Sequence, residues 1–366
     1  MTVYLDYNAT APVRPEVLAA MTAALAEPGN ASSVHGPGRR ARRLIEEARA
    51  QVAALAGADP AWVIFTSGGT EANNLALHGL PATRILISAG EHDSVRQAAP
   101  EAQRVPLTAE GVVALDALAA ALDAAPKGTL VSVMLANNET GVIQPIGEVV
   151  ALARAAGAWV HCDAVQAGGK IPIDLRDLDV DLLTLSAHKL GGPPGVGALL
   201  ARPDLPLRPQ LLGGGQERRR RAGTENLPGI AGFGAAAKTA LEDLPAFEKL
   251  GELRDYFESH IRMLAPEVKV FGAAAPRLPN TACVALAGLP AETQLMALDL
   301  AGVAVSSGAA CSSGKVQPSH VLTAMGASDL EAGSAIRVSL GWASSAADID
   351  CLLAIWGDLY RRSKAA

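Results

Sequence analysis

Lys189 lies in the part of this chain that best suits covalent chemistry. It ends the run Ser186-Ala-His-Lys189, where an apolar stretch leads a hydroxyl, an imidazole and an amine into a glycine-rich turn. An amine held among such neighbours suits a Schiff base with a carbonyl cofactor. A single lysine is more often a solvated surface residue, so this interpretation depends on the residues described next.

A glycine-rich turn upstream is suited to binding an anion. The run Thr66-Ser-Gly-Gly-Thr-Glu71 follows an apolar stretch and opens a helical one. Gly69 lets the backbone approach a ligand, Thr70 adds a hydroxyl donor, and the free N–H groups of a helix start favour a phosphate. An ordinary helix cap would explain the same run. Since no Gly-Lys-Ser/Thr follows, the turn is not an ATP-type loop and indicates a smaller phosphorylated cofactor.

Three more polar residues follow predicted strands. Asp163 ends a strand, at the edge where open α/β sheets bind ligands, and its carboxylate could pair with a protonated pyridine nitrogen. His92 could stack on an aromatic ring and move protons, and Asn138 could donate its amide to a ring oxygen. Each also has a simpler explanation, as a helix cap, a solvated loop histidine and a turn residue respectively. Together with Lys189 and the glycine turn, they predict one cofactor site.

The cysteines indicate a nucleophile rather than a disulfide or zinc site. Cys311 lies in the small, polar run Ser306-Ser-Gly-Ala-Ala-Cys311-Ser-Ser-Gly314, where a thiol is accessible. Cys283 in an apolar strand and Cys351 on the closing helix suit structural positions, and Cys162 should point away from Asp163 on its strand. None of the four forms a CxxC pair, so we expect no structural metal. An idle loop thiol is the alternative for Cys311.

Arg337 stands within the apolar run 335–339. A buried guanidinium needs an anionic partner. A substrate carboxylate bound through two hydrogen bonds would serve, and a structural salt bridge is the competing explanation.

The elements that must position these residues alternate along the chain. Apolar runs predict strands at 62–66, 84–88, 130–135, 159–162, 182–186 and 196–200, and helical spacing predicts helices at 39–56, 72–78, 115–124 and 146–156. This alternation predicts an α/β fold with a mostly parallel sheet and helices on both faces.

Beyond about residue 255 the pattern changes to that of a smaller α+β unit. Strands are predicted at 268–271, 281–287 and 335–340, and helices at 293–300 and 348–360. We therefore expect a large cofactor-binding domain at 14–255 and a small domain made of 1–13 and 256–366 that carries the cysteine loop.

Composition excludes several classes of function. The 366 residues carry 31 basic and 37 acidic side chains, a net charge of −6, which does not favour nucleic acid as a direct partner. The basic run 218–221 suits a solvated loop, or a contact for a phosphate or a partner subunit. No apolar stretch is long enough to span a membrane, and the first residues do not resemble a signal peptide, so we expect a cytoplasmic protein.

The chain closely resembles the cysteine desulfurases of the NifS/IscS type, in the class V branch of fold-type I pyridoxal 5'-phosphate (PLP) enzymes. The resemblance runs almost end to end. It is carried by Tyr4-Leu-Asp-Tyr-Asn-Ala-Thr-Ala-Pro12, Phe65-Thr-Ser-Gly-Gly-Thr-Glu71, Glu91-His92, Asn137-Asn-Glu-Thr-Gly141, His161-Cys-Asp-Ala-Val-Gln166, Ser186-Ala-His-Lys189, Arg221-Ala-Gly-Thr-Glu-Asn226 and Ser306-Ser-Gly-Ala-Ala-Cys311.

The resemblance implies a role for each matching residue. Lys189 carries PLP and shuttles protons, His92 stacks on the ring, Asp163 pairs with the ring nitrogen, and Arg337 binds the substrate carboxylate. Cys311 becomes a persulfide on a longer, mobile loop. The resemblance assigns the phosphate contacts to Gly69, Thr70, Ser186 and His188, with Thr224 from the second subunit of a homodimer, and the ring-oxygen contacts to Asn138 and Gln166.

The implied reaction converts L-cysteine to L-alanine and passes sulfur to an acceptor, in iron–sulfur cluster assembly or tRNA thiolation. The sequence leaves open which acceptor is used, whether selenocysteine is accepted, and whether Cys311 ligates an iron–sulfur cluster in transit. Three positions depart from common relatives, namely Leu135, Gly191 and Pro194. The chain also ends at Ala366, whereas relatives often carry a longer tail that docks the cluster scaffold, so the sequence leaves that mode of docking open.

Two other functions fit parts of the sequence. A class V aminotransferase or selenocysteine lyase would share the fold, and amino transfer to a keto acid without sulfide release would identify the former. A thiol sensor or nucleotide-binding regulator would use Cys311 and the glycine turn without a coloured cofactor.

Overall fold

The computed structural model describes residues 2–125, 127–307 and 318–365. The strands are β1 (Val3–Tyr4), β2 (Val63–Thr66), β3 (Arg84–Ser88), β4 (Gln103–Val105), β5 (Thr129–Ser132), β6 (Trp159–Asp163), β7 (Leu182–Ser186), β8 (Gly197–Ala201), β9 (Lys269–Val270), β10 (Thr281–Ala285), β11 (Val303–Ala304) and β12 (Ala335–Ser339). The helices are α1 (Pro15–Leu25), α2 (Gly36–Leu55), α3 (Gly69–Gly79), α4 (Asp93–Arg96), α5 (Leu115–Asp123), α6 (Ile146–Ala155), α7 (Leu175–Leu178), α8 (Leu227–Glu242), α9 (Leu244–Glu248), α10 (Leu250–Leu264), α11 (Ala291–Leu300), α12 (His320–Ala324), α13 (Asp329–Ala332) and α14 (Ala346–Ala365).

A seven-stranded sheet in the order β2-β8-β7-β6-β5-β3-β4 forms the centre of the fold. Strand β8 runs antiparallel to both of its neighbours, and the remaining adjacent pairs are parallel. Parallel neighbours need long crossover connections, which helices supply here. The strands that precede the predicted site residues therefore all point the same way, and their carboxyl ends share one edge of the sheet.

Helices cover both faces of this sheet. Along β7, Leu183 and Leu185 belong to one buried apolar cluster, whereas Leu182 belongs to another. The same division occurs along β2, where Phe65 and Ile64 lie in opposite clusters. Side chains alternate across a strand, so a continuous apolar run buries both faces of the sheet. This explains why the central strands lack the polar alternation of half-exposed ones.

The remaining strands form two smaller sheets. Strands β12, β10 and β9 are antiparallel in that order, and β1 pairs with β11 in parallel. Their core holds Leu5 from the amino terminus together with Phe257 and Trp356, and it also includes Leu250 at the start of α10. The boundary predicted near residue 255 thus falls inside α10. The division into two domains stays a prediction.

Six of the seven strands of the central sheet were predicted, whereas β4 and several helices were not. Strands β3 and β7 have the predicted bounds, whereas β5 ends at Ser132 rather than at residue 135. Helices α1, α8 and α10 were not predicted. Helix α8 is rich in alanine and glycine and buries residues around most of its circumference against α1 and α2. Such a helix has no polar face to give a periodic signal.

Among the residues described, every helix is too short or too polar to cross a membrane.

Three cysteines, Cys162, Cys283 and Cys351, are free thiols. Cys162 and Cys283 are buried, and burial raises the pKa of both thiols, so neither is a ready nucleophile.

Candidate active site

A cavity of about 820 Å³ opens at the carboxyl edge of the central sheet. Ten of the twelve residues predicted for the site line it: Gly69, Thr70, His92, Asn138, Asp163, Gln166, Ser186, His188, Lys189 and Arg337. The first nine follow or end strands β2, β3, β5, β6 and β7, and Arg337 comes from β12 in the smaller sheet. The fold therefore assembles the predicted site from six strands far apart in sequence.

The Gly69 end of the cavity suits a phosphate. Helix α3 begins at Gly69, so its first N–H groups point out of the helix where an anion is favoured. A Cβ at Gly69 would lie 3.0 Å from the Val165 side chain, which shows how closely the backbone packs there. Ser186 lines the same cavity. Hydroxyl and backbone N–H donors at a helix start match a phosphate monoester.

His188 lies beside these donors and is uncharged at neutral pH. Burial, and then the positive charge of Lys189, lower the pKa of His188 to about 4. Its Nδ1 lies 3.2 Å from the Thr10 hydroxyl. The imidazole can therefore contact an anion as a neutral hydrogen-bonding ring, without adding a charge next to Lys189.

Asp163 places a buried carboxylate in the cavity wall, at the end of a strand of the central sheet. It lies at the end of β6 and is 6% exposed. One carboxylate oxygen accepts from Asn73 Nδ2 at 2.8 Å and the other from the Val165 N–H at 2.9 Å. Among the described residues no cation pairs with Asp163 within ion-pair distance. A buried, unpaired carboxylate facing a cavity matches a ligand with a positive nitrogen.

His92 is oriented by the first turn of α4. Its Nδ1 accepts from the Ser94 N–H at 3.1 Å, which places the proton of the neutral ring on Nε2. The Ser94 hydroxyl also contacts His92 Nδ1 and accepts from Asn73 Nδ2 at 2.8 Å. Because Asn73 also donates to Asp163, one short chain of hydrogen bonds links the ring to the carboxylate.

Lys189 lies just after β7, and its amine faces main-chain oxygens. Its Nζ donates to the carbonyl oxygens of Asn8 at 2.6 Å and Ala9 at 2.8 Å. Burial, followed by the positive charge of Arg337, lowers the pKa of Lys189 to about 8. A substantial fraction of the amine is therefore unprotonated near neutral pH, as attack on a carbonyl requires.

Arg337 forms a structural salt bridge and still has N–H donors for a substrate carboxylate. Its Nη2 forms a salt bridge with Asp6 Oδ1 at 2.6 Å, and its Nη1 donates to the Asn138 carbonyl oxygen at 3.0 Å. A guanidinium has five N–H donors, of which these contacts use two. The Nε atom is buried without a hydrogen-bond partner in the described part of the chain. Donors thus remain for an anion that enters the cavity.

The structure places one of the two other predicted residues, Thr224, away from this cavity. Thr224 is exposed and lines a separate cleft with Arg221 and Glu217. Cys311 lies outside the described residues. Ser306 and Pro318, on either side of the undescribed segment, both line the large cavity.

Several buried residues around the site were not predicted as functional. Asn73 holds Asp163, Asn8 accepts from Lys189, and Lys170 donates to Gln166. Glu91 is fully buried, and its pKa is raised well above its usual value by burial and then by Asp163. Asn8 and Glu91 stand in motifs that were recognised. Lys170 could have been noticed as a lysine within the otherwise small and apolar segment 167–173.

The comparisons with known proteins agree with this geometry. The profile of the family described as "Aminotransferase class-V" matches residues 3–352. The chain belongs to the class V aminotransferase family. A protein named cysteine desulfurase from Cereibacter sphaeroides is 46% identical over 368 residues, which cover 96% of this chain and 94% of that protein.

Solved structures give the same result. The structure of a NifS-like protein from Rickettsia africae superposes with a TM-score of 0.92 at 34% identity, covering 99% of this chain and all of that one. A structure described as SspA in complex with cysteine superposes with a TM-score of 0.80 at 30% identity, over 93% of this chain and 99% of that one. The predicted resemblance and the predicted fold class are confirmed.

The family's cofactor is PLP, and the chemistry of the cavity fits it. A phosphate matches the start of α3, a ring nitrogen matches the unpaired Asp163 carboxylate, and an aldehyde matches the amine of Lys189. A cavity of about 820 Å³ is also large enough for both the cofactor and an amino acid. The predicted cofactor is therefore supported by the residues themselves.

Proposed function

We propose that this chain is a PLP-dependent cysteine desulfurase, which converts L-cysteine to L-alanine and transfers the sulfur to Cys311 as a persulfide. One observation carries the proposal. The low-pKa amine of Lys189, the unpaired carboxylate of Asp163 and the incompletely used guanidinium of Arg337 line one cavity. The cavity also holds the described ends of the segment that contains Cys311.

The cofactor is held at its phosphate, its ring nitrogen, its ring face and its ring oxygen. Gly69, Thr70, Ser186 and His188 bind its phosphate, together with Thr224 of a second subunit. Asp163 holds its ring nitrogen, His92 stacks on its ring, and Asn138 and Gln166 face its ring oxygen. When bound, PLP withdraws electrons from the α-carbon of an attached amino acid.

Lys189 and His92 move the protons of the reaction. With a pKa of about 8, Lys189 can both accept and donate a proton near neutral pH. His92 offers a proton from Nε2, because its Nδ1 accepts from the Ser94 N–H. The two groups line the same cavity and so can act on the same substrate.

Arg337 binds the carboxylate of L-cysteine. Its salt bridge to Asp6 and its bond to the Asn138 carbonyl oxygen fix the plane of the guanidinium. A fixed guanidinium loses little freedom when a carboxylate binds, which favours a defined substrate orientation. The amino acid is thus anchored at the end of the cavity formed by β12.

Cys311 is the sulfur acceptor. It lies five positions after Ser306, and an extended chain spans about 3.3–3.6 Å per residue, so roughly 17 Å is within reach. Its thiolate attacks the sulfur of the substrate, an S–S bond forms as the C–S bond breaks, and the electron pair goes to the carbon skeleton that becomes alanine. The persulfide then passes its sulfur to another protein.

The partners and location follow from the same proposal. The enzyme acts as a homodimer in the cytoplasm, where free thiols such as Cys162 and Cys351 persist. Its acceptor is a sulfur-carrier or iron–sulfur scaffold protein, serving cluster assembly or tRNA thiolation, and no direct contact with nucleic acid is required.

The experiment measures alanine and sulfide released from L-cysteine in the presence of a thiol reductant. Wild type should release both in equal amounts, and Lys189→Ala should release neither and lack visible cofactor absorbance. Cys351→Ser, a matched change at a partly exposed thiol of α14, should leave the yield unchanged. Amino transfer from the substrate to a keto acid without sulfide would contradict the proposal and identify an aminotransferase.

A further inference from the structure

Lys170 is a buried lysine that the mechanism above does not use. The residue is 3% exposed and lies after β6, four residues beyond Gln166. In the described part of the chain no carboxylate lies within ion-pair distance of its amine. Instead Nζ donates to two neutral oxygens, Asn8 Oδ1 at 2.6 Å and Gln166 Oε1 at 2.8 Å. A buried lysine without an anion is rare unless its amine is uncharged.

The hydrogen bonds match an uncharged amine. A neutral amine has two N–H donors, whereas an ammonium has three. The two acceptors around Lys170 Nζ therefore use every donor of the neutral form and would leave one N–H of the charged form unpaired. Burial, followed by the positive charges of Lys189 and Arg337, lowers the pKa of Lys170 well below its usual value.

The Asn8 carbonyl oxygen and this amine together fix which way the Gln166 amide faces. Gln166 Oε1 accepts from Lys170, and Gln166 Nε2 donates to the Asn8 carbonyl oxygen at 2.9 Å. The reversed amide would set Oε1 against that carbonyl oxygen, two acceptors with no proton between them. Gln166 lines the cavity and has a second N–H on Nε2, so it can present only a donor there.

The Lys170 amine also donates to Asn8, and Asn8 in turn contacts residues on several sides of the cavity. Besides Lys170, the Asn8 side chain contacts Asn280, Thr281 and the Asn138 carbonyl oxygen. The Asn8 carbonyl oxygen accepts from both Gln166 and Lys189. The position of one buried amine is therefore coupled to the groups at two sides of the cavity.

We propose that Lys170 is a positioning residue for the cofactor, a buried amine that holds Gln166 and Asn8 together and so keeps the N–H side of the Gln166 amide toward the ring oxygen. The inference rests on the proposed role of Gln166 as a contact for that oxygen. Lys170 itself touches neither cofactor nor substrate and acts through Gln166 and Asn8.

The test uses the purified holoenzyme and the visible absorbance of its bound cofactor as a function of pH, which requires no cysteine. Lys170→Met removes the amine and keeps an unbranched chain. If Gln166 then loses its fixed orientation, the midpoint of the absorbance change should shift by about one pH unit, the equivalent of one hydrogen bond to a charged oxygen. Gln166→Leu should shift the midpoint in the same direction.

The double variant separates positioning from general stability. Lys170→Met combined with Gln166→Leu should shift the midpoint no further than Gln166→Leu alone, because both changes remove the same contact. A wild-type midpoint in Lys170→Met, or additive shifts in the double variant, would overturn the inference. If Lys170→Met does not fold, Lys170→Gln replaces it, because the glutamine keeps a neutral N–H donor with a shorter reach. An altered midpoint in Lys170→Gln together with a wild-type midpoint in Gln166→Leu would then refute the inference, since the effect would not pass through Gln166.

The outcomes also distinguish this inference from the proposed function. A coloured holoenzyme that shows the coupled shift but releases no sulfide from L-cysteine would support the role of Lys170 and contradict the proposed reaction. A colourless protein after incubation with PLP would contradict the cofactor contacts on which both depend.

Discussion

The lowered pKa of Lys189 should be visible in the rate at which the apoprotein captures PLP. Only the unprotonated amine attacks a carbonyl, and with a pKa of about 8 roughly one amine in ten is free at pH 7. An amine at its usual pKa of 10.5 would be free about 300-fold less often. We therefore expect the capture rate to rise about tenfold per pH unit below 8 and to level off above it.

A charge substitution tests the cause of this pKa. After burial, the positive charge of Arg337 is the largest factor that lowers the pKa of Lys189. Arg337→Met should therefore move the midpoint of the rate profile to higher pH, whereas Arg39→Met on the exposed face of α2 should not move it. Stopped-flow absorbance after mixing with PLP gives the profile. A wild-type midpoint near 10, or one unchanged by Arg337→Met, would refute the reasoning.

Three further predictions concern stability and cofactor affinity. Glu217→Ala removes the buried partner of Arg49, which then keeps only the half-exposed Glu46, and should lower the free energy of unfolding in urea by about 3 kcal/mol, whereas Glu27→Ala in the more exposed pair with Arg40 should change it little. Asn73→Leu removes a donor to Asp163 and should weaken PLP binding about tenfold in a fluorescence titration; unchanged affinity would contradict the assigned contact. The pKa of Glu91 is raised by burial, so the folded state keeps a proton that the unfolded chain releases above about 4.5. Stability is therefore lost as pH rises above that value, and the stability of Glu91→Gln relative to wild type should increase over the same rise in urea titrations.

The sheet and most of the site could be predicted because their signals are local. Strands β3 and β7 are mainly apolar and each ends at a serine, and parallel strands bring such ends together. Asp163, His92 and Lys189 could thus be assigned to one edge without knowing the strand order. Their chemical types then indicated the cofactor.

The supporting residues could not be predicted because their roles depend on long-range contacts. Asn8 lies 162 positions before Lys170, and only the folded chain brings their polar atoms together. Asn73 contacts Asp163 across 90 positions. Buried polar residues of this kind leave no periodic pattern, since each answers the hydrogen-bonding needs of one neighbour.

The predicted division near residue 255 also concerns long-range packing rather than local signals. Leu5, Leu250 and Trp356 pack into the same core, although they are far apart in the sequence. An apolar pattern in the sequence indicates that one face of an element is buried, but it does not indicate which other element covers that face.

Mapping the sulfur after a single turnover tests the central claim most directly. The holoenzyme is mixed with one equivalent of L-cysteine without reductant, alkylated, digested and examined by mass spectrometry. The account predicts one extra sulfur atom on the peptide that contains Cys311, and none on the same peptide in Cys311→Ser, which should keep the colour of the bound cofactor. A persulfide on Cys351, or alanine formed at the wild-type rate by Cys311→Ser, would contradict it.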